Sequence, residues 1–195
     1  MENLTPRHRY IFDVALELFS INGYGKTSMR DIAKVMDVKA SSLYAHITSK
    51  EEILEWMSRD VGTRFMDRFD EILKLDTNPE EKFNLVLQNH VKSIFENVKL
   101  YDVFMTNVYR LKVDFKNQSM YLTKIEKYIE DIHKTIEDCF ISLGITDAEK
   151  LLFSTKYTIT VINNLHRYIY DSNLSLDAIT EMLKKTILHG VVSNK

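Results

Sequence analysis

The residues best suited to specific polar chemistry lie together in one stretch, Val38-Lys39-Ala40-Ser41-Ser42-Leu43-Tyr44-Ala45-His46-Ile47-Thr48-Ser49-Lys50. Serine hydroxyls donate and accept hydrogen bonds, a phenol and an imidazole do the same at longer reach, and lysine ammonium groups pair with anionic oxygens. Taken singly, Ser41 and Ser42 are ordinary surface or cap residues, Tyr44 a half-buried aromatic, and His46 and Lys50 solvated side chains. Their joint placement with so few apolar neighbours points to a polar partner.

Catalysis has no comparable footprint. The six histidines, at 8, 46, 90, 133, 166 and 189, show no metal-ligand spacing. No His-Glu-x-x-His, glycine-rich phosphate loop or nucleophile elbow occurs. The reading is therefore not an enzyme, with no metal and no cofactor. The one cysteine, Cys139, cannot form an internal disulfide and reads as a small buried apolar residue in a reducing, cytoplasmic setting. MENLTPRHRY has no apolar stretch after its basic residues, so no secretory leader is expected. The absence of a long uncharged apolar run likewise predicts no transmembrane helix.

The elements that must position the polar stretch are helical. Only two prolines and five glycines punctuate the chain, which predicts an all-α fold of about nine helices, three short ones first. Thr5 and Pro6 announce a first helix whose stripe is Ile11, Val14, Ala15, Leu18 and Phe19. Asn22-Gly23-Tyr24-Gly25 ends it. Thr27 or Ser28 caps a second helix with Asp31 in capping-box spacing, and Met29, Ile32, Ala33 and Met36 form its inner side. Met36-Asp37-Val38 is a tight turn, and a third helix spans about 39–45 with Leu43 as anchor. Ser49-x-x-Glu52 opens an unusually long fourth helix that continues past Phe69. Asn78-Pro79-Glu80-Glu81 opens the next. A short aromatic segment (Tyr101, Phe104, Met105, Tyr109) leads to a helix over about 116–142. Thr146-x-x-Glu149 starts another that runs to about Tyr170, and Ser175 caps the last.

Residues 1–50 carry seven Lys/Arg against five Asp/Glu, a charge of +2, and the remainder carries 19 against 23, a charge of −4. A basic module ahead of an acidic one has the right sign for a binder of phosphate backbones. Two short helices joined by a three-residue turn and braced by an amphipathic helix make a helix-turn-helix, whose second helix enters the major groove. That places Lys39, Ser41 and Ser42 towards base edges. Tyr44, His46, Thr27 and Lys50 are placed for phosphate contacts, helped by free N–H groups at helix starts.

Residues 7–54, with ALELFSINGYGKTSMRDIAK and SSLYAHITSKEEIL at their heart, resemble the DNA-binding domain of the TetR family of transcriptional regulators. The resemblance implies a homodimer that binds a palindromic operator in double-stranded DNA and is released by a small molecule. It also implies DNA contacts at Thr27, Ser28, Lys39, Ser41, Ser42, Tyr44, His46 and Lys50. Three positions depart from the family pattern. Asp37 replaces a frequent glycine, Lys39 a common capping serine, and Ile47 the usual phenylalanine.

The resulting domain plan is a DNA-binding domain over 1–50 and a ligand-binding and dimerisation domain over 51–195. Family architecture implies a helical bundle in the second, paired through its last two helices. Ile162, Leu165, Tyr168 and Ile169, with Leu183, Ile187 and Leu188, are the apolar faces offered for pairing. Candidate ligand residues are Phe104, Met105, Tyr109, Tyr121, Tyr128, Phe153, Tyr157 and Asn164, and the ligand expected is apolar or amphipathic. Asn163, Asn164, His166 and Arg167 are polar interruptions that need partners in a pocket or across the dimer. The competing readings are an activator, a regulator without a ligand, and a helical protein-interaction module that does not bind DNA.

Overall fold

A computed structural model describes residues 4–114, 119–169 and 172–192, without the side chains of 65, 67, 108–114, 119–125 and 192. Its regular elements are helical: α1 (Pro6–Asn22), α2 (Met29–Val35), α3 (Ala40–Tyr44), α4 (Lys50–Leu73), α5 (Pro79–Glu96), α6 (Val98–Asp114), α7 (Ser119–Ser142), α8 (Ala148–Asn163), α9 (Leu165–Ile169) and α10 (Leu176–Val192). A 3-10 turn, Tyr24–Lys26, follows α1.

The helix boundaries follow from side chains that satisfy the orphan N–H groups of each first turn. The Thr5 hydroxyl accepts from His8 N–H at 3.3 Å with Pro6 at the first position. Gly23, at φ +80°, ends α1 and returns its N–H to the Phe19 carbonyl at 3.0 Å. Ser28, not Thr27, caps α2 in a reciprocal box with Asp31. Glu52 N–H donates to the Ser49 hydroxyl at 3.3 Å, while its carboxylate accepts from Thr48 N–H at 2.7 Å and Thr48 Oγ1 at 2.8 Å. Gly144, at φ +88°, ends α7.

Three expectations shift. The aromatic segment around Tyr101 is not a connector but part of the helix α6. Asp147 rather than Thr146 caps α8, accepting from Lys150 N–H at 2.8 Å. The helix expected to run on towards Tyr170 breaks at Asn164, whose side-chain amide donates to the Thr160 carbonyl at 2.8 Å and whose backbone leaves the helical region at φ −95°, ψ 2°. A short Asn side chain offers the backbone this local alternative to the helical ladder. Tyr170 itself lies outside the described residues.

The chain divides into two compact units, residues 1–63 with 97–119, and residues 64–96 with 120–195. In the first unit α1 packs against α2 and α6, and α2 against α3. Ile11, Phe12, Ala15 and Phe19 of α1 are buried, as are Ile32 and Ala33 of α2, Leu43 of α3 and Ile47 after it. Each fully buried aliphatic side chain stabilises such a core by about 1.5–3 kcal/mol. Ile47, where phenylalanine is usual, is thus accommodated as core. In the second unit α5 packs against α9 and α10. Phe69, Ile72 and Val86 form a buried cluster with Leu73, Leu85, Tyr128 and Ile132 against it, and the Phe69 and Tyr128 rings meet edge-to-face at 4.8 Å.

Candidate nucleic-acid interface

The turn between α2 and α3, residues 36–39, depends on Asp37, which sits at φ +53° in the left-handed region. Short polar side chains tolerate that region better than most non-glycine residues. The turn closes with Val38 N–H on the Ala33 carbonyl at 3.0 Å and Asp37 N–H on the Lys34 carbonyl at 3.2 Å. Lys39 then precedes α3 without a side-chain cap, the consequence of having no hydroxyl there.

Helix α3 is held by one residue. Leu43 is 0% exposed, whereas Lys39, Ser41, Ser42, Tyr44 and His46 are all exposed. Five polar side chains of one eight-residue stretch are therefore free of the core. The His46 carbonyl lies 3.1 Å from His8 Nε2, and the His8 ring sits 5.1 Å from that of Trp56, which ties the end of α3 to α1 and α4.

The other three candidate residues are engaged inside the unit. Thr27 is buried, and its hydroxyl donates to the carbonyls of Gly23 at 3.0 Å and Leu18 at 3.3 Å. Ser28 is exposed, but its hydroxyl donates to Asp31 at 2.6 Å while Asp31 also accepts from Ser28 N–H at 2.8 Å. The Ser28 hydroxyl, then its N–H, holds the Asp31 carboxyl below the usual carboxylate range. Lys50 points its ammonium at the carbonyls of Tyr24, 2.7 Å away, and Thr27, 2.8 Å away. The Tyr24 hydroxyl donates to Glu51 at 2.8 Å. Burial works against ionisation of Glu51, but its own backbone N–H and the Tyr24 and Ser49 hydroxyls outweigh it and leave the carboxyl below its usual value.

Two cations missed in the sequence reading flank α3. Arg30, Ala33, Lys34, Asp37, Val38, Lys39 and Ala40 line an open cleft of about 520 Å³. Three cations against one carboxylate make it electropositive. The signal was present in the sequence, because Arg30 and Lys34 are four apart on one helix and share its surface.

Residues 11–57 match the family model described as bacterial regulatory proteins, tetR family. The amino-terminal helix-turn-helix segment is thus similar to the DNA-binding domain of TetR-family regulators. Among curated proteins, the chain is 30% identical over 90 residues to the fatty acid metabolism regulator protein of Bacillus subtilis, covering 46% of each. It is 34% identical over 76 residues to the HTH-type transcriptional repressor KstR2 of Mycolicibacterium smegmatis, covering 39% of this chain and 37% of that one. The chain thus spans less than half the length of either relative. The solved structure of the ketosteroid transcriptional regulator KstR2 of Mycobacterium tuberculosis superposes with a TM-score of 0.78 over 96% of both chains at 18% identity. The TetR-family match includes the helix-turn-helix and the first residues of α4, and the all-α fold is shared over nearly the whole length.

The candidate ligand residues lie in both units. Phe104 and Met105, half-buried on α6, belong to the first unit, whereas Tyr128, Phe153, Tyr157 and Asn164 belong to the second. The side chains of Tyr109 and Tyr121 lie outside the described residues. Phe153 is 72% exposed and stacks on Tyr157, with ring centroids 6.4 Å apart. Tyr128 packs against the Phe69 cluster. A small cavity of about 30 Å³ in the second unit is lined instead by Phe83, Val86, Leu87, His90, Ile132, Ile136, Ile159, Ile162 and Asn163. Burial pushes the His90 imidazole down to a pKa of about 3, so the histidine on this wall is neutral.

The apolar faces offered for pairing also divide. Ile162, Leu165, Ile169, Leu183 and Ile187 are buried within the chain itself. The apolar side chains left exposed on α8 to α10 include Leu152, Phe153, Tyr157, Tyr168 and Met182. Helical periodicity reports that a residue is apolar and which stripe it shares, not which of two stripes the chain's own core consumes. Of the polar interruptions, His166 is buried with Nδ1 3.0 Å from the Asn163 carbonyl, and Arg167 is exposed.

Proposed function

We propose that the chain is a cytoplasmic, homodimeric transcriptional repressor that binds a palindromic operator and is released from it by a small apolar or amphipathic ligand. The observation that carries this reading is the exposure of Lys39 at the start of α3, and of Ser41 and Ser42 on it, with the helix pinned by a fully buried Leu43. Such a helix can enter a major groove with its polar side chains towards base edges. Tyr44, His46, Arg30 and Lys34 supply hydroxyl, imidazole and cationic groups for the backbone on either side. Thr27, Ser28 and Lys50 complete the DNA-binding set, with side chains that shape the surface from within.

The regulatory half of the reading assigns residues 1–50 to DNA and 51–195 to the ligand and the second copy. The exposed side chains on α8 to α10, Phe153 and Tyr168 foremost, are large enough to favour pairing with a second copy. Both curated relatives are named as regulators, which supports the same role here. Band-shift titrations across ionic strength test the reading. Affinity should fall steeply with salt, Lys34→Met should lower the slope by about one, and Ser41→Ala or Ser42→Ala should change which sequence is preferred. Equal affinity for every duplex, or none in dilute buffer, would refute it.

A further inference from the structure

We infer that Lys50 is a positioning residue of this interface: it fastens the first turn of α4 to the turn between α1 and α2, and does not itself meet phosphate. The inference rests on the proposed DNA-binding reading and assigns one residue within it. The ammonium donates to the carbonyls of Tyr24 at 2.7 Å and Thr27 at 2.8 Å, and lies 4.1 Å from the centroid of the Tyr24 ring. Two of its three donors are thereby directed inward. To reach a phosphate the side chain would abandon two charge-assisted hydrogen bonds and a ring contact and leave two carbonyls to find new donors.

What Lys50 holds is the entry to the helix-turn-helix. Tyr24 begins the 3-10 turn, and Thr27 immediately precedes Ser28, the cap of α2. The Thr27 hydroxyl ties the same segment to Gly23 and Leu18, and the Tyr24 hydroxyl ties it to Glu51. The segment is therefore held from α1 on one side and from Lys50 and Glu51 on the other. Because α3 packs on α2, fixing the start of α2 fixes the helix that carries Ser41 and Ser42.

The test compares wild type, Lys50→Met and Lys50→Arg on a duplex that the wild-type chain enriches from random DNA. Titrations run from low to moderate salt on samples whose far-ultraviolet circular dichroism matches wild type. The expected result is a loss of about tenfold or more for Lys50→Met at every salt, with the slope of log affinity against log salt unchanged. Lys50→Arg should lose affinity too, because a planar fork does not fit a seat between two carbonyls and a ring. It also decides the matter if Lys50→Met fails to fold. Backbone amides of 28–33 should exchange with solvent faster in both variants.

A slope lowered by about one in Lys50→Met, with Lys50→Arg matching wild type, would overturn the inference and make Lys50 a phosphate contact. Undiminished affinity in Lys50→Met would overturn it as well. If the wild-type chain enriches no duplex, the DNA-binding reading fails separately. Amide exchange then still judges the fastening, and unchanged protection of 28–33 discards it.

Discussion

The ammonium of Lys50 sits against the ring of Tyr24 and on its carbonyl, joining residues 26 apart in sequence. The same tyrosine reaches the next residue, Glu51, through its hydroxyl at 2.8 Å. One aromatic side chain thus meets both a cation and a carboxylate at the start of α4. Tyr24→Phe keeps the ring and the carbonyl and removes only the hydroxyl. It should cost about 1.5–3 kcal/mol of stability, the worth of one hydrogen bond to a charged acceptor. Tyr24→Ala should cost about 3–5 kcal/mol, because the buried ring goes too. Urea unfolding of the two variants measures both.

Asp37 stands in the left-handed region at φ +53°, where glycine has no steric penalty and β-branched residues have a large one. Asp37→Gly should leave stability unchanged or raise it by up to about 1 kcal/mol. Asp37→Val should lower it by about 1–2 kcal/mol. Thermal unfolding followed by circular dichroism separates the two, and a stable valine variant would mean that the turn can re-form in another conformation.

Much of the first unit could be read from the sequence because its signals are local. Thr5-Pro6 and Gly23 bound α1, Ser28 and Asp31 form a box three residues apart, and the polar side chains of α3 are contiguous. The inward course of Lys50 could not be read, since its partners are backbone carbonyls 26 and 23 positions earlier. The break at Asn164 was hidden for a related reason. Ile162 and Leu165 are both buried and preserve helical spacing across it, while the interruption is a local change of backbone at Asn164. Phe153 and Tyr157 carry the apolar signature of a core stripe, yet they lie on the exposed side of α8. Only packing distinguishes those two cases.

His90 makes the second unit sensitive to acid. Its folded pKa, about 3, lies below the ordinary value of 6.5, so the unfolded chain takes up the proton first. Its stabilising effect is complete above pH 6.5 and fades as pH falls towards 3. The loss is about 1.4 kcal/mol for each pH unit below the ordinary value. Unfolding free energy should therefore fall by about 1.4 kcal/mol between pH 7.5 and 5.5 in wild type, and this component should vanish in His90→Leu. Equal pH dependence in the two proteins would contradict the assignment.

Cys139 is 0% exposed and its thiol is pushed up to about 12, chiefly by burial. The thiolate is the reactive form, so the folded protein should not react with a disulfide reagent at pH 8 over minutes. One thiol per chain should appear on denaturation. Rapid labelling of the native protein would show that α7 opens readily.

The most direct measurement of the central claim is selection of bound sequences from random duplex DNA by the full chain at low and moderate salt, with the mass of the recovered complex. The account predicts an enriched palindrome whose half-sites stand about 34–36 Å apart, bound by two copies. Recovery of no preferred sequence, or of a single half-site bound by one copy, would contradict it.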